Sequence, residues 1–415
     1  MSKGACICLV SPGHVSANPR LVKEADALAR AGYDVHVVAG RYFAPLDPLD
    51  QEILARAEWT SHVVDYAGGS RAISAKAARR LLRSAGGAWT RHSLRWAGLA
   101  HHAAVPQLAR AARGVPAQLY VGHCLAGLAA AALAAEDTRS LLAFDAEDFH
   151  AGESAAALND AVESALIDRI ERVCLPRCQY VTASSAGIAR AYVQRYGISE
   201  PTVILNVFPR AEAPAAPTAP AAGEIRRLYW FSQTVGPDRG LEPMLRVLAA
   251  MNTPCELHLR GIEAPGFKIV LADEANRVGF RGPIVLHRTA SAAEMARLAT
   301  NYDLGLSLEL APPPNRDICL TNKIFTYLLA GIPVVLSPTR AQREIADELG
   351  DAAVLVDFEN PAASATRLDQ LLGDASKSRR ARDAAWDLAQ TRFNWDLEQP
   401  KLLDLIRRAL SDAKS

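Results

Sequence analysis

Apolar and polar residues follow one another along this chain in blocks that predict strands and helices in turn. Residues 5–10 form a continuous apolar run, which is typical of a parallel strand buried on both faces. After a short loop, Asn18 precedes Pro19 in the manner of a helix N-cap with proline at the first helical position. The next strand is predicted at 34–39. Strand, loop, helix and strand in this order predict a right-handed βαβ unit, the beginning of a doubly wound sheet.

The same alternation continues to the end of the chain. It predicts strands at 118–122, 141–145, 180–183 and 202–205, a long helix at 154–178, and further strands at 228–231, 256–259, 284–286, 304–307, 333–336 and 353–356. Between the two sets, 211–223 is almost entirely alanine, proline and threonine, which suits a semi-rigid linker. We predict α/β domains at 1–208 and 225–390, a linker at 209–224, and a C-terminal helix at 391–415 that returns to the first domain.

Length, composition and charge narrow the class of protein. The chain has 415 residues, half of them apolar and 22% charged, which is enough for two domains and excludes a broadly disordered protein. A net charge of +1 argues against a dedicated nucleic-acid-binding protein. Seven cysteines, mostly in apolar runs, favour reduced thiols in a cytosolic protein. We expect no signal peptide, and the longest apolar run, 124–135, is shorter than the about 20 residues of a membrane-spanning helix.

A glycine-bearing loop opens the second predicted domain. The segment 231–242 is predicted to be a strand, a loop with Gly236 and Gly240, and then a helix. Such a loop lets backbone N–H groups approach an anion, and Arg239 adds a positive charge there. The alternative is that Arg239 is an ordinary solvated turn residue.

A second predicted anion site is the start of a later helix. Thr321 is expected to cap this helix, which ends at Gly331, and Asn322 and Lys323 follow the cap. The helix dipole disfavours a lysine at such a position. We therefore interpret Lys323 as a ligand-binding residue; the alternative is a surface lysine.

Acidic residues and a histidine cluster at the end of a predicted strand in the first domain. The cluster consists of Asp145, Glu147, Asp148, His150 and Glu153. Ligands bind beyond the carboxyl ends of strands in open α/β sheets, and a carboxylate or imidazole there could orient or deprotonate a hydroxyl of a ligand. The alternative is a set of helix N-terminal acids with a surface histidine. His123 also ends a strand, and Gly13 and His14 lie in the first loop.

These blocks resemble the family 4 glycosyltransferases (glycosyl transferases group 1) along nearly the whole chain. The matching segments are NPRLVKEADALARAGYDVHVVAG, DAEDFHAGE, FSQTVGPDRGLE and LTNKIFTYLLAGIPVVLS. The resemblance implies a GT-B fold, α/β with two Rossmann-like doubly wound parallel-sheet domains facing a cleft. It also implies transfer of a sugar from a nucleotide-sugar donor with retention of configuration, in the cytoplasm and in the synthesis of cell-envelope polysaccharide.

The chain departs from the family at the donor site. The family loop usually carries an arginine and a lysine; here Arg239 falls on the lysine position and Thr234, beside Gln233, on the arginine position. The family's pair of glutamates, of which the later one holds the nucleotide ribose, is replaced by Ile318 and Thr326. Glu309 is the nearest upstream acid. The departure puts the identity of the donor nucleotide in question.

The resemblance and the residues together predict three sets of functional side chains. The donor-binding set is Gln233, Thr234, Gly236, Arg239, Thr321, Asn322, Lys323 and Thr326; the acceptor-binding set is Gly13, His14, His123, Glu147, Asp148 and His150; the catalytic set is Asp148, His150, Arg239 and Lys323. The acceptor is a glycan, a lipid-linked or a small-molecule hydroxyl. Two other functions stay open, a GT-B-like nucleotide-sugar epimerase and a non-catalytic glycan- or membrane-binding homologue.

Metal and cofactor chemistry is not expected. No Asp-x-Asp motif occurs and no His/Cys cluster has metal-ligand spacing. Arg239, Lys323 and helix N-termini would neutralise the diphosphate instead, with the nucleotide sugar as co-substrate and no other cofactor.

A basic insertion at about 66–117 stands out from the rest of the first domain. No acid occurs between Asp65 and Glu136, and the basic residues there are Arg71, Lys76, Arg79, Arg80, Arg83, Arg91, Arg95, Arg110 and Arg113, with Trp89 and Trp96 among them. Three interpretations are open: peripheral attachment to an anionic membrane at the inner face of the plasma membrane, a solvated helical face, and a site for an anionic acceptor. RNA binding ranks last, because the net charge is near zero.

Overall fold

The computed structural model describes residues 4–84, 93–153, 160–217 and 225–412. They belong to two compact units, Met1–Ile204 with Gln399–Ser415, and Leu205–Glu398. The described part of the predicted linker is therefore counted with the second unit, and the last helix is divided between the units at Gln399.

The first unit is a seven-stranded parallel sheet with helices between its strands. Its strands are β1 Cys6–Ser11, β2 Asp34–Arg41, β3 Thr60–Asp65, β4 Leu119–His123, β5 Leu141–Ala146, β6 Cys178–Ala183 and β7 Thr202–Val203. Its helices are α1 Pro19–Arg30, α2 Asp47–Leu54, α3 Gly69–Ser84, α4 Leu94–His101, α5 Val105–Arg113, α6 Cys124–Thr138, α7 Ala161–Cys174 and α8 Ala186–Tyr196. The strand order is β3-β2-β1-β4-β5-β6-β7, so the sheet is doubly wound, as predicted.

The second unit repeats this architecture with six parallel strands. They are β8 Arg226–Val235, β9 Cys255–Glu263, β10 Ile284–His287, β11 Leu304–Ser307, β12 Val334–Leu336 and β13 Ala353–Leu355. The helices are α9 Leu241–Ala249, α10 Phe267–Val278, α11 Met295–Ala299, α12 Pro314–Ile318, α13 Asn322–Leu329, α14 Arg340–Leu349, α15 Pro361–Leu372, α16 Ala375–Thr391 and α17 Trp395–Asp412. The strand order is β10-β9-β8-β11-β12-β13.

Local sequence explains the first βαβ unit. Every residue from Ile7 to Val10 is fully buried, as expected for a central parallel strand. The Asn18 side chain accepts a hydrogen bond from the backbone N–H of Leu21 at 3.0 Å, and Pro19 begins the helix, which confirms the predicted cap.

Two predictions of secondary structure need correction. The helix predicted over 154–178 was wrong at its C-terminal end, because Pro176 lacks an N–H and the chain passes through a short 3-10 turn at Leu175–Arg177 into β6. Its first residues, 154–159, lie outside the described residues. β3 was not predicted, since its Thr, Ser and His residues give an edge strand a weak apolar signal.

The strand order places a switch point in each sheet. In the first sheet the chain leaves β1 toward β2 on one side and later returns to β4 on the other; in the second sheet β9 and β11 flank β8 in the same way. The crevice beyond the carboxyl ends of such strands is the usual ligand site of open α/β sheets. The segments that follow β1, β4, β8 and β11 are therefore the places to look for function.

All seven cysteines are free thiols, as predicted. Among the residues that the structure describes, no helix is both long enough and apolar enough to cross a membrane.

Candidate functional site

The loop between β8 and α9 in the second unit is shaped by glycine. Gly240 has a φ of +76°, a conformation that glycine adopts far more easily than other residues. A Cβ at this position would lie 2.9 Å from the Cβ of Leu308, the residue after β11. The loop therefore packs directly against the end of β11, at the switch point of the second sheet.

This loop presents a positive charge. Arg239 is half-buried, and within the described parts of the chain its side chain makes no hydrogen bond or ion pair. The residue lies just before the N-terminus of α9, where backbone N–H groups also favour an anion. Arg239 is thus available to a ligand.

Two more cations lie next to the loop, and they share one acid. The ammonium of Lys323 is 3.0 Å from Oε1 of Glu309, and both side chains are buried. The Nε of Arg316 is 4.0 Å from Oε2 of the same glutamate, and its Nη1 donates to the carbonyl of Asp238 in the loop. Arg239, Arg316 and Lys323 thus bring three cations to this edge of the sheet, beside the acids Glu309, Asp238 and Glu242. Arg316 was missed by sequence reasoning, since nothing in its local sequence distinguishes it from a surface arginine.

The other predicted donor residues are less directly placed. Thr321 precedes α13 as predicted, but its side chain does not cap the helix; its hydroxyl lies 3.2 Å from the hydroxyl of Ser307 instead. The hydroxyl of Thr326 is buried and donates to the carbonyl of Asn322 at 3.0 Å. Gln233 and Thr234 are exposed near the end of β8.

Gly236 completes the loop that carries Arg239. It is buried, and a Cβ there would come within 3.3 Å of Ala264. A larger residue would therefore press the loop away from the strand that follows α9.

A buried charge network holds the corresponding edge of the first sheet. Nε and Nη2 of Arg20 donate to the two carboxylate oxygens of Asp145 at 2.6 and 2.7 Å, with both side chains almost fully buried. The hydroxyl of Thr182 also donates to Asp145, at 2.5 Å. Burial alone would raise the pKa of Asp145, but Arg20 and His123 hold it well below its usual value.

His123 belongs to this network rather than to an open site. Its ring nitrogens lie 3.1 Å from Glu24, 3.3 Å from Asp145 and 3.2 Å from Glu147, and the ring is fully buried. Burial alone would lower the pKa of His123, but the three carboxylates outweigh it and raise the pKa well above the usual value. His123 and Glu147, both predicted to bind the acceptor, are thus engaged with each other.

His14 is also held by the protein on both sides of its ring. Nδ1 is 2.6 Å from Asp50, and Nε2 accepts from the backbone N–H groups of Tyr42 and Phe43 at 3.0 and 2.9 Å. The buried ring therefore anchors the loop after β2 to the loop after β1. Gly13, beside it, has open space where a Cβ would be.

A cavity of about 390 Å³ opens above this network in the first unit. It is lined at the switch point by the residues after β1 and β4, and by Asp148, His150, Glu153, His102 and Glu163. Of the residues predicted for the acceptor, the structure brings Asp148 and His150 together here. His102 and Glu163 were not predicted, because α4 and α7 reach the cavity only through the tertiary fold.

His150 is the best-placed polar group of the cavity. The ring is buried, and Nδ1 is 2.9 Å from a carboxylate oxygen of Glu153. Burial alone would lower its pKa, but the bond to Glu153 and the charges of Glu153, Glu171 and Asp148 raise the pKa to about 9. At neutral pH the ring is therefore protonated, and its Nε2 has no hydrogen-bond partner among the described residues. A buried donor without a partner is costly, and a ligand oxygen would remove that cost.

The described part of the basic insertion has an exposed face. Ile73, Lys76, Arg80 and Leu81 are exposed at helical spacing on α3, and Trp96 on α4 is 41% exposed. Trp89, Arg91 and the side chain of Arg71 lie outside the described residues.

Two other arginines of the insertion have structural partners. The Nε of Arg79 donates to the carbonyls of Ala100 and His101, and Arg83 pairs with Asp160 and Glu163. These two side chains tie α3 to α4 and α7 rather than facing solvent.

Comparison with known proteins supports the architecture. No family model and no curated protein matches the chain. Among solved structures, Anabaena HepE with UDP and glucose superimposes with a TM-score of 0.70 at 17% identity over 98% of this chain and 100% of that one. A glycosyltransferase from Rickettsia africae gives 0.66 at 12% identity over 98% and 99%. A Listeria monocytogenes structure assigned as a UDP-N-acetylglucosamine 2-epimerase gives 0.53 at 11% over 99% and 97%. The fold of this chain is the GT-B fold.

Proposed function

We propose that the protein is a retaining, metal-independent glycosyltransferase. It would move a sugar from a nucleoside-diphosphate sugar to a hydroxyl of a glycan, a lipid-linked or a small-molecule acceptor. The observation that carries this proposal is Arg239, a cation in the glycine loop at the switch point of the second sheet that has no partner among the described residues. The similarity in fold to HepE, which was solved with UDP-glucose, adds support.

In this proposal the second unit binds the donor. Cleavage of the bond from the sugar to the diphosphate leaves negative charge on the leaving oxygen, and preorganised donors stabilise that charge. Arg239 and the N-terminus of α9 supply such donors. Lys323 has three N–H groups, of which Glu309 takes one, so the ammonium can also donate to the diphosphate. Gln233, Thr234, Thr321 and Asn322 complete the donor set.

The first unit binds the acceptor in the 390 Å³ cavity. Protonated His150 donates from Nε2 to an acceptor oxygen, and the carboxylate of Asp148 accepts from the reacting hydroxyl. Four acids line the cavity, Asp148, Glu153, Asp160 and Glu163, and they outnumber their cationic partners His150 and Arg83. This excess of negative charge disfavours an acceptor with a phosphate or carboxylate at this point. Neutral sugar hydroxyls fit the cavity best.

A ligand screen tests the donor assignment. Thermal unfolding of the full-length protein is measured with UDP, GDP and ADP and with their glucose derivatives. One nucleotide should raise the melting temperature in proportion to the logarithm of its concentration over Kd, and Arg239→Ala should abolish that shift. Arg246→Ala, an exposed arginine on the following helix, is the matched control. The donor assignment is wrong if no nucleotide shifts the wild-type transition.

An epimerase is the second candidate, favoured by the similarity in fold to the Listeria structure. Incubation of the protein with UDP-N-acetylglucosamine and without an acceptor distinguishes the two. An epimeric nucleotide sugar identifies an epimerase, whereas a transferase leaves the donor unchanged or slowly hydrolysed. If the protein binds nucleotide sugars but neither reaction occurs with any acceptor, the non-catalytic alternative holds.

The exposed face of α3 supports a peripheral position at the inner face of the plasma membrane. Each basic residue near an anionic bilayer contributes about 1 kcal/mol, and apolar insertion by Ile73, Leu81 or Trp96 would add to it. The protein should sediment with phosphatidylglycerol vesicles and not with neutral ones. Lys76→Glu with Arg80→Glu should release it, and Arg113→Glu, on another helix, should not. Equal recovery in the supernatant with both vesicles at low salt would contradict this.

A further inference from the structure

Three potential metal ligands meet at the amino ends of the first two strands. Cys6 and Asp34 begin β1 and β2 and are register partners, and His36 follows Asp34 on the same face of the sheet. A sulfur, a carboxylate oxygen and an imidazole nitrogen from these residues lie within 4.8 Å of one another. This is the edge of the sheet opposite to the candidate acceptor cavity, so the group has no part in the proposed transfer.

We propose that Cys6, Asp34 and His36 form a binding site for a thiophilic divalent cation, with Zn²⁺ as the best fit. Cysteine, histidine and aspartate are the ligand types that zinc takes, at about 2.0–2.3 Å. Tetrahedral bonds of that length place ligand atoms about 3.3–3.6 Å apart. Oδ1 of Asp34 and Nε2 of His36 are already 3.7 Å apart. All three residues are partly exposed, so a cation can enter and water can fill the fourth position.

The neighbouring strand supplies the support that a metal-binding histidine needs. Nδ1 of His36 is 2.9 Å from Nε2 of His62 on β3, and the two ring planes are inclined by only 18°. A metal at Nε2 of His36 requires the proton on Nδ1, and His62 is in position to accept it. Such outer partners orient the ligand and raise its affinity for the metal.

Two other groups of possible ligands lie in the same unit, and arginine already compensates each of them. Arg41 donates two hydrogen bonds to Asp47 in the group with His14 and Asp50. Arg20 does the same to Asp145 in the buried group around His123. A divalent cation would have to displace an arginine at either place.

The second unit contains the same histidine arrangement without the cysteine. His258 follows Glu256 by two residues, and its Nδ1 is 2.9 Å from Nε2 of His287 on the next strand. The residue in register with Glu256 is Arg227 rather than a cysteine. A guanidinium repels a divalent cation, so this pair serves as an internal control.

Cobalt is the probe for this site, because tetrahedral Co²⁺ bound to a thiolate absorbs strongly in the near ultraviolet through charge transfer from sulfur. Tag-free full-length protein, kept reduced, should bind one Co²⁺ with this absorption, and Zn²⁺ should displace it. Cys6→Ser should abolish the absorption, and His62→Phe should weaken binding about 10 to 100-fold through the lost outer partner. His258→Gln and Cys178→Ser should bind as the wild type does. Absent charge-transfer absorption, or absorption that Cys6→Ser leaves intact, would overturn the proposal.

Thermal stability provides a second measurement that does not depend on the absorption of cobalt. Because the site links the starts of β1 and β2, Zn²⁺ should raise the melting temperature of the wild type. Asp34→Asn, which keeps the size of the side chain, should fold in EDTA and show a reduced shift. An equal Zn²⁺ shift in wild type and Asp34→Asn contradicts the assignment.

Discussion

The two units place charged residues at the same point of the same topology and use them differently. In the first unit Arg20 is buried and bound to both oxygens of Asp145, so its charge is fully engaged within the protein. In the second unit Arg239 follows a strand at the equivalent switch point, is half-buried, and has no partner in the described parts of the chain. A paired, buried charge secures the strand ends, whereas an unpaired, accessible charge is available to an anionic ligand.

Histidines show the same contrast within the first unit. His14 and His123 are bonded at both ring nitrogens, or surrounded by carboxylates, and support the floor of the site. His150 uses one nitrogen for Glu153, and the other is buried without a hydrogen-bond partner among the described residues. Position at a strand end therefore does not by itself identify a ligand-binding residue, because His123 at such a position is surrounded by carboxylates of the protein.

The largest effect is expected where the paired charge is broken. Arg20→Met removes the bidentate partner of buried Asp145 and leaves it only His123 as a neighbouring cation among the described residues, which should lower the free energy of unfolding by about 3–5 kcal/mol. Urea unfolding followed by circular dichroism measures it. Arg172→Met, which removes an exposed arginine paired with Asp168, should leave the midpoint nearly unchanged. Similar small losses in both variants would mean that the buried network is not structural.

The second-largest effect, on turnover, is expected when the charge of Arg239 is removed. Arg239→Ala should lower turnover by about 10²–10³-fold, because one preorganised donor at the developing anion is lost. Arg239→Lys should recover part of it, since the charge stays but the forked geometry does not. Steady-state kinetics with the nucleotide sugar found in the ligand screen provides the measurement. A folded Arg239→Ala variant with wild-type kinetics would show that this arginine is an ordinary turn residue.

A smaller effect is expected at His150. His150→Gln should cost about 10 to 100-fold in kcat/KM, the equivalent of one charged hydrogen bond. Its folded pKa of about 9 exceeds the unfolded value, so its stabilising charge is fully present below about pH 6.5 and is lost as pH rises toward 9. The wild type should lose stability across that window, and His150→Gln should lose less.

His102→Gln is the matched control for His150. His102 lines the same cavity, but burial and the nearby His101 and Arg79 lower the pKa of His102 to about 4. The ring of His102 therefore carries no charge at neutral pH. Its activity and pH profile should stay close to those of the wild type. If both variants behave alike, the charge of His150 has no role in binding.

No effect on turnover is expected from removing divalent ions. In the proposed mechanism the cations of the second unit take the place of a metal at the diphosphate, so turnover at moderate temperature should survive excess EDTA. A loss of turnover that manganese or magnesium restores would contradict metal independence. EDTA should instead lower the melting temperature if zinc occupies the Cys6 site, which separates a structural metal from a catalytic one.

Sequence alone predicted most of the architecture. Buried parallel strands produce continuous apolar runs, and caps such as Asn18–Pro19 act over a few residues. Both can therefore be recognised in the sequence without knowledge of the fold. The glycine loop at 236–240 was found for the same reason, because a turn with positive φ needs glycine locally. β3 was not predicted, because a half-exposed edge strand lacks the continuous apolar run of a buried strand.

Only the tertiary structure decided which polar residues are free to act. Arg20 and Asp145 are 125 residues apart in the sequence. No local pattern predicts that their side chains neutralise each other. The same holds for Glu309 with Lys323, and for Cys6 with Asp34 and His36. Burial and pairing depend on which strands become neighbours in the sheet. Preferences for strands, helix caps and turns therefore depend on consecutive residues, whereas the availability of a charge or a metal ligand depends on how the fold packs.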